Sequence, residues 1–302
     1  MKFFGGCRRV IPLRLGLVMV ALVAIASPAV NGALQPVNFL RIGTSGSVAS
    51  MGKDSKETTA LSTLQNFIKT ETGLNNEILR QKDWQQLAEK MASKELHVGV
   101  FQGYEFAWAQ EKHPGLKPLA LAVNVYRYPS AYVVARKDNA ATDFASLRGQ
   151  SLAVTGGGTG FLRLYIDRQC QSQGKKPEEF FSRLTTPENV EDALDDAVDG
   201  MVQAVVVDRA GLEAYKRRKP GRFNQLKQVA HSKPFPPVLV AYYDEVLDPA
   251  TLKRFRDGLL HASQKEKGQT LLTLFRLTKF EGVPADFGRL LAETREAYPA
   301  AN

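Results

Sequence analysis

The sequence predicts an α/β protein built as two lobes joined by two chain crossings. Three observations carry this reading. From Phe39 onward, short runs of branched and apolar residues alternate with amphipathic helical runs, the rhythm of strands covered by helices. The same plan starts afresh at Ser151. Tyrosine- or proline-rich stretches near 124–132 and 230–238 suit crossings between lobes. The boundaries that follow are 34–126 with 233–302 for lobe 1, and 127–232 for lobe 2.

Residues 1–33 are expected to lie outside this fold. Lys2, Arg8, Arg9 and Arg14 make a basic start, and Leu15 to Ala26 is a 12-residue apolar core followed by small residues. This is the pattern of a cleaved secretory signal peptide, too short for a comfortable membrane span. The mature chain is therefore expected to be exported.

In lobe 1, Phe39 to Thr44 reads as a strand and Gly43 to Gly52 as a Gly/Ser-rich loop. Glu57 to Thr70 has Leu61, Leu64, Phe67 and Ile68 on one helical face, and Gly73 stops it. A short strand ends at Arg80. Asp83 then caps a helix to Glu95, with Trp84, Leu87, Ala88 and Met91 inward. Leu96 to Phe101 is the third strand, running into Gln102, Gly103 and a helix to Lys112. Leu119 to Val125 and Ala131 to Ala135 add strands, and the rhythm predicts a parallel sheet.

In lobe 2, the strand Ser151 to Thr155 meets Gly156, Gly157, Gly158, Thr159 and Gly160, and a helix starts at Phe161 and stops at Gly174. Strand, glycine turn and helix start together aim free backbone N–H groups at an anion. Two other readings stay open. One is a tight turn that binds nothing. The other is a dinucleotide loop, against which Arg163 stands where a third small residue belongs. A helix with Val190, Ala193, Leu194, Ala197 and Val198 inward ends at Gly200. The apolar run Met201 to Val207 suits a strand buried on both faces. Asp208 stands at its C-terminal end, where open α/β sheets bind ligands. It can hold a ligand amine or cap the next helix. The strand VLVAYY and helical tails over Thr251 to Phe275 and Ala285 to Tyr298 complete the chain.

Composition narrows the function. The formal charge is +9, and the basic start holds four of those charges. Clusters such as Lys216 to Lys219 look like solvated helix ends, without the aromatic interleaving of a nucleic-acid site. Beyond residue 33 the one cysteine is Cys170, which can form no internal disulfide and reads as a small buried hydrophobe. His97, His113, His231 and His261 lack metal-ligand spacing, so neither a metal nor a cofactor is expected. No G-x-S-x-G, H-E-x-x-H or Walker lysine is present, which argues against an enzyme.

The run TGGGTGFLRLYI, the later ENVEDALDDAVDGMVQAVVVD and SKPFPPVLVAYY resemble the phosphate/phosphite/phosphonate substrate-binding proteins of ABC transporters. Lys82 to Gln85 and HVGVFQGYEFAWA fit the same family, so the resemblance covers roughly 39–290. It implies a two-lobe periplasmic-binding-protein fold of the type 2, venus-flytrap kind, with a small anionic solute held between the lobes. It implies a periplasmic location, an ABC permease in the inner membrane as partner, no enzymatic activity, and a monomer. Carried over residue by residue, it places Gly157, Gly158, Thr159 and Gly160 as the anion cradle of lobe 2. Thr44, Ser45, Gln102 and Gly103, all at strand C-terminal ends, are expected to face it from lobe 1, with Trp84 and Phe101 against any organic part and Asp208, at its own strand end, placed to hold a ligand amine. The chain departs from the family where Gly157 and Gly158 replace hydroxyl residues, and where Trp84 and Phe101 replace other aromatics. An exported sensor or partner-binding module with a non-phosphorus ligand is the alternative these departures allow.

Overall fold

A computed structural model describes residues 37–46, 55–156 and 160–300, with the backbone alone for 55–60; the predicted signal peptide lies outside them. All of these residues belong to one compact unit. Its strands are β1 (Phe39–Thr44), β2 (Asn75–Arg80), β3 (Val98–Phe101), β4 (Leu116–Val123), β5 (Ala131–Arg136) and β6 (Ser151–Val154). They continue as β7 (Arg183–Thr185), β8 (Ala204–Asp208), β9 (Leu226–His231), β10 (Leu239–Tyr243) and β11 (Lys279–Glu281). The first helices are α1 (Ser55–Thr72), α2 (Trp84–Ala92), α3 (Gly103–Lys112) and α4 (Gly160–Ser172). Then come the short α5 (Pro177–Phe180), α6 (Val190–Val198), α7 (Arg209–Arg218), the short α8 (Pro220–Phe223), α9 (Pro249–Leu260), α10 (Glu266–Leu274) and α11 (Phe287–Ala297).

Two sheets form, one per lobe. The first has the order β11-β4-β10-β3-β1-β2 and the second β7-β6-β8-β5-β9. Neither is the all-parallel sheet that the rhythm predicts. β1 is parallel to β2 and β3, and β6 to β7 and β8. β10 runs antiparallel to β3 and β4, β11 to β4, and β5 to β8 and β9. The reason is topological. The chain leaves the first sheet at the C-terminal end of β4 and enters the second at the same end of the molecule, so β5 must run back against β8. The return from β9 to β10 repeats the reversal.

Local chemistry sets most helix starts. The Asp83 carboxylate accepts the Gln86 N–H at 2.9 Å, and α2 buries Trp84, Leu87, Ala88 and Met91 as its spacing demands. Asn189 and Asp208 cap α6 and α7 in the same way. Gly174 and Gly200 follow α4 and α6 with φ of 70° and 78°, the left-handed conformation that glycine adopts without cost. β8 starts three residues later than its apolar run, because Met201 is 67% exposed in the turn after Gly200. Cys170 is fully buried on α4, and burial pushes its thiol up to about 12, as befits an inert packing residue.

The crossing segments are tied together. Ser232 N–H donates to the Ala131 carbonyl, Ala131 N–H to the Ser232 hydroxyl at 2.9 Å, and Phe235 N–H to the Pro129 carbonyl at 2.8 Å. One apolar core runs through both lobes past these ties. Phe161 of α4 meets Phe235 at 5.2 Å between ring centroids, and Phe235 meets Tyr298 at 4.6 Å. The Trp108 indole N–H donates to the Tyr298 carbonyl at 2.7 Å and so anchors the C-terminal end of α11 on α3. Separate clusters lie between the first sheet and α1, α9 and α10, and between the second sheet and α6 and α7.

In the first crossing, Val125 adopts φ of 60° while 52% exposed. A β-branched residue in the left-handed region is strained by about 1–3 kcal/mol. Val125→Asn keeps the backbone N–H and tolerates this conformation. It should raise the unfolding free energy by about 1 kcal/mol in denaturant titration; an unchanged or lower midpoint would contradict the assignment of strain.

Candidate functional site

The C-terminal strand ends of both sheets converge on one cavity of about 360 Å³. Thr44 ends β1, Arg80 ends β2, Gln102 follows β3, and Asn124 and Tyr126 follow β4. From the second sheet come Gly156, just past β6, and Asp208 at the end of β8. Pro236 and Pro237 of the second crossing close the lining. Strands of the parallel blocks end here, so the helices that follow them start here. Gln102 precedes α3, Phe161 lies in the first turn of α4, Val190 opens α6 and Asp208 caps α7, and all four line the cavity. Each helix start brings N–H groups without a partner inside the helix and roughly half a positive charge. That field favours an anion.

The charged side chains among the described lining residues are Arg80, Arg276 and Asp208. Asp208 accepts the Gly211 N–H at 3.2 Å, so it does cap α7, and it also faces the cavity. Burial pushes its carboxyl above the usual carboxylate range, partly offset by the backbone N–H groups of Gly211 and Ala210. The folded chain therefore holds this proton more tightly than the unfolded one. The group withdraws stability as pH rises beyond the ordinary carboxylate range.

Other predicted site residues have different surroundings. Ser45 is fully buried, and its hydroxyl donates to Glu105 at 2.7 Å. The same carboxylate accepts the Gln102 backbone N–H at 3.4 Å, so Glu105 fixes both chain ends that flank the cavity. Gly103 is required by close approach: a β-carbon there would lie 2.2 Å from the Pro236 carbonyl oxygen. Trp84 and Phe101 are core residues, packed against Trp108 at 5.7 Å and Phe106 at 5.8 Å, and are not among the described lining residues. Gly157, Gly158 and Thr159 lie outside the described residues. Arg80, Asn124 and Tyr126 belong to the lining and are not among the site residues expected from the sequence. The strand-end rule that singled out Thr44 and Asp208 applies equally to Arg80.

Tyr104 and Gly160 bring the lobes together. A β-carbon at Gly160 would sit 2.5 Å from the Tyr104 hydroxyl, so this glycine lets α4 meet the first lobe. Tyr104 packs edge-on to Trp108 at 5.1 Å, and burial, with the Glu105 charge, pushes its phenol far above the ordinary value. Across the first crossing, the Arg209 guanidinium lies 4.1 Å from the Tyr126 ring centroid, and its backbone N–H donates to the Ser130 carbonyl at 3.1 Å. Among the described residues no three His, Cys, Asp or Glu side chains converge as metal ligands, and no helix is long and apolar enough to cross a membrane.

Comparison with known proteins agrees with this geometry. Residues 47–286 match the family model of the ABC transporter phosphonate periplasmic substrate-binding protein. The chain has no match among curated protein sequences. Among solved structures it is similar to XAC2383 from Xanthomonas citri bound to ATP, with 17% identity, a TM-score of 0.62, and coverage of 87% of this chain and 97% of that one. It is similar to PhnD1 from Prochlorococcus marinus in complex with methylphosphonate, with 10% identity, a TM-score of 0.59, and coverage of 86% and 97%. A binding protein component of an ABC phosphonate transporter from Pseudomonas aeruginosa gives 14% identity, a TM-score of 0.55, and coverage of 87% and 88%. At these identities the likenesses establish the two-lobe periplasmic-binding-protein fold.

The lobe contact yields a direct test. Gly160→Ala should cost about 1–3 kcal/mol, the usual penalty for overpacking. In a Tyr104→Phe background, which removes the clashing oxygen, the cost should fall below about 0.5 kcal/mol. Denaturant titration of the four proteins in this cycle checks it. Equal costs in both backgrounds would disprove the contact.

Proposed function

This chain belongs to the periplasmic phosphonate substrate-binding proteins of ABC transporters, and we propose that it captures a small phosphonate- or phosphate-like oxyanion between its lobes. The family is one of binding proteins, not enzymes, and it serves a membrane permease. In this reading lobe 1 comprises 34–126 and 233–302 and lobe 2 comprises 127–232, and the protein acts as a monomer. The observation that carries the proposal is the cavity at the strand ends, into which the starts of α3, α4, α6 and α7 direct their positive ends. Arg80 supplies a full cation in the same lining. Thr44 and Gln102 contribute polar side chains from lobe 1, and closure at Tyr104 and Gly160 excludes water from the bound anion.

The decisive measurement is thermal unfolding of the mature protein against phosphate, phosphite, methylphosphonate, aminoethylphosphonate, sulfate and carboxylates. A phosphorus oxyanion at a hundredfold excess over its dissociation constant should stabilise the fold by about 2.7 kcal/mol. A panel in which no phosphorus compound moves the midpoint would overturn the proposal. Asp208 refines it. Asn is an equally good helix cap, so Asp208→Asn leaves the fold intact while removing a negative charge from the cavity. Binding of methylphosphonate should tighten about tenfold, the factor given by ~1.4 kcal/mol of relieved repulsion. Aminoethylphosphonate should weaken about as much if the carboxylate holds its ammonium group. Isothermal titration at pH 7 reads both, and equal affinities before and after substitution would remove Asp208 from the ligand's surroundings.

A further inference from the structure

One side chain in the cavity wall is buried without a hydrogen bond. Tyr104 stands in the first turn of α3 and lines the cavity, and it is only 8% exposed. Its ring packs edge-on against Trp108, whose indole is held in turn by the Tyr298 carbonyl, and this fixes the direction of the phenol. The hydroxyl thereby reaches the first residue of α4, where it lies 2.5 Å from the place of a Gly160 β-carbon. Among the described residues none makes a hydrogen bond to it. Glu105, the next residue, is engaged elsewhere: its carboxylate accepts the Ser45 hydroxyl and the Gln102 N–H. A buried hydroxyl left unpaired is costly, and folded chains rarely keep one without a use. Burial and the Glu105 charge also hold the phenol protonated, so it remains a donor across the working pH range. A donor from lobe 1 and the N–H groups that open α4 in lobe 2 thus meet at one spot.

We propose that Tyr104 is a ligand contact: its hydroxyl donates to an oxygen of the solute's oxyanion at the start of α4, so that the anion is held from both lobes at once. The inference rests on the oxyanion reading of the cavity. Phenol O–H and helix N–H groups are donors alike, and the helix end is positive, so an acceptor oxygen fits this spot and an ammonium group does not. Closure around an anion satisfies the hydroxyl, whereas closure around nothing leaves it buried and unpaired. Tyr104 therefore makes the closed arrangement depend on what is bound.

The test compares the mature protein with Tyr104→Phe, which keeps the ring and its Trp108 contact and removes the hydroxyl alone. Both proteins are titrated calorimetrically with phosphate, phosphite, methylphosphonate and aminoethylphosphonate. Each anion that binds the unsubstituted protein should bind the variant about tenfold to a hundredfold more weakly, the loss of one hydrogen bond to a charged group. Thermal unfolding without ligand should give the variant an equal or higher midpoint, because the folded chain loses no hydrogen bond of its own. Binding to the unsubstituted protein should also produce a tyrosine ultraviolet difference band that the variant lacks. Equal affinities in the two proteins would overturn the contact and leave the oxyanion reading standing. Weaker binding together with a lower ligand-free midpoint would also overturn it and assign Tyr104 to packing alone. Failure of all four anions to bind the unsubstituted protein would overturn the oxyanion reading, and the contact with it.

Discussion

Hydrogen bonds between Ser232 and Ala131 and between Phe235 and Pro129 continue the antiparallel β5–β9 pairing into the two crossing segments and hold them side by side. Most of the architecture is arranged around this tie. Both crossings run between strand ends on the same cleft, so β5 and β10 run against their neighbours β8 and β3. The remaining strands of the parallel blocks then finish on the same cleft, and the helices that follow them begin there. An anion-favouring field is a consequence of connectivity before any side chain is chosen. The tie also explains Gly103: the second crossing passes so close to the start of α3 that the Pro236 carbonyl occupies the place of a β-carbon.

Around the tie the lobes share an apolar seam of Tyr104, Phe161, Phe235 and Tyr298. Aromatic pairs at such distances contribute about 0.5–1.5 kcal/mol each beyond the area they bury. Gly160 removes the side chain that would keep Tyr104 away from α4. The seam therefore favours the arrangement in which the lobes meet. A polar ligand has only to supplement that preference, because the apolar contacts already offset part of the entropy of ordering.

Which parts of this were legible in the sequence follows from how local each cause is. Asp83 with Trp84, Leu87, Ala88 and Met91 is a helix whose cap and buried face lie within nine residues, and it forms as its spacing predicts. β7 and β11, three residues each, carry no pattern long enough to detect, and their partners lie far off in the chain. Sheet direction was hidden for the same reason, since it depends on where a crossing arrives. In the site, Thr44, Gln102 and Asp208 were found by the strand-end rule, which needs no tertiary knowledge. Trp84 and Phe101 entered through family position, although the inward spacing of α2 had already placed Trp84 in the core.

The left-handed Val125 shows how the first crossing is over-determined. Its N–H donates to the Thr278 hydroxyl at 3.3 Å, and Thr278 in turn reaches the Val123 carbonyl through both its N–H and its hydroxyl. Beyond it, Tyr126 N–H donates to the Asn124 carbonyl at 2.6 Å, and the Tyr126 ring meets Arg209. Contacts from β11's approach on one side and α7 on the other thus force a conformation that valine would not choose. A glycine here would accept the same φ but would also free the crossing to adopt many others. Valine leaves the unfolded chain fewer conformations than glycine, so less entropy is lost here on folding, which offsets part of the strain.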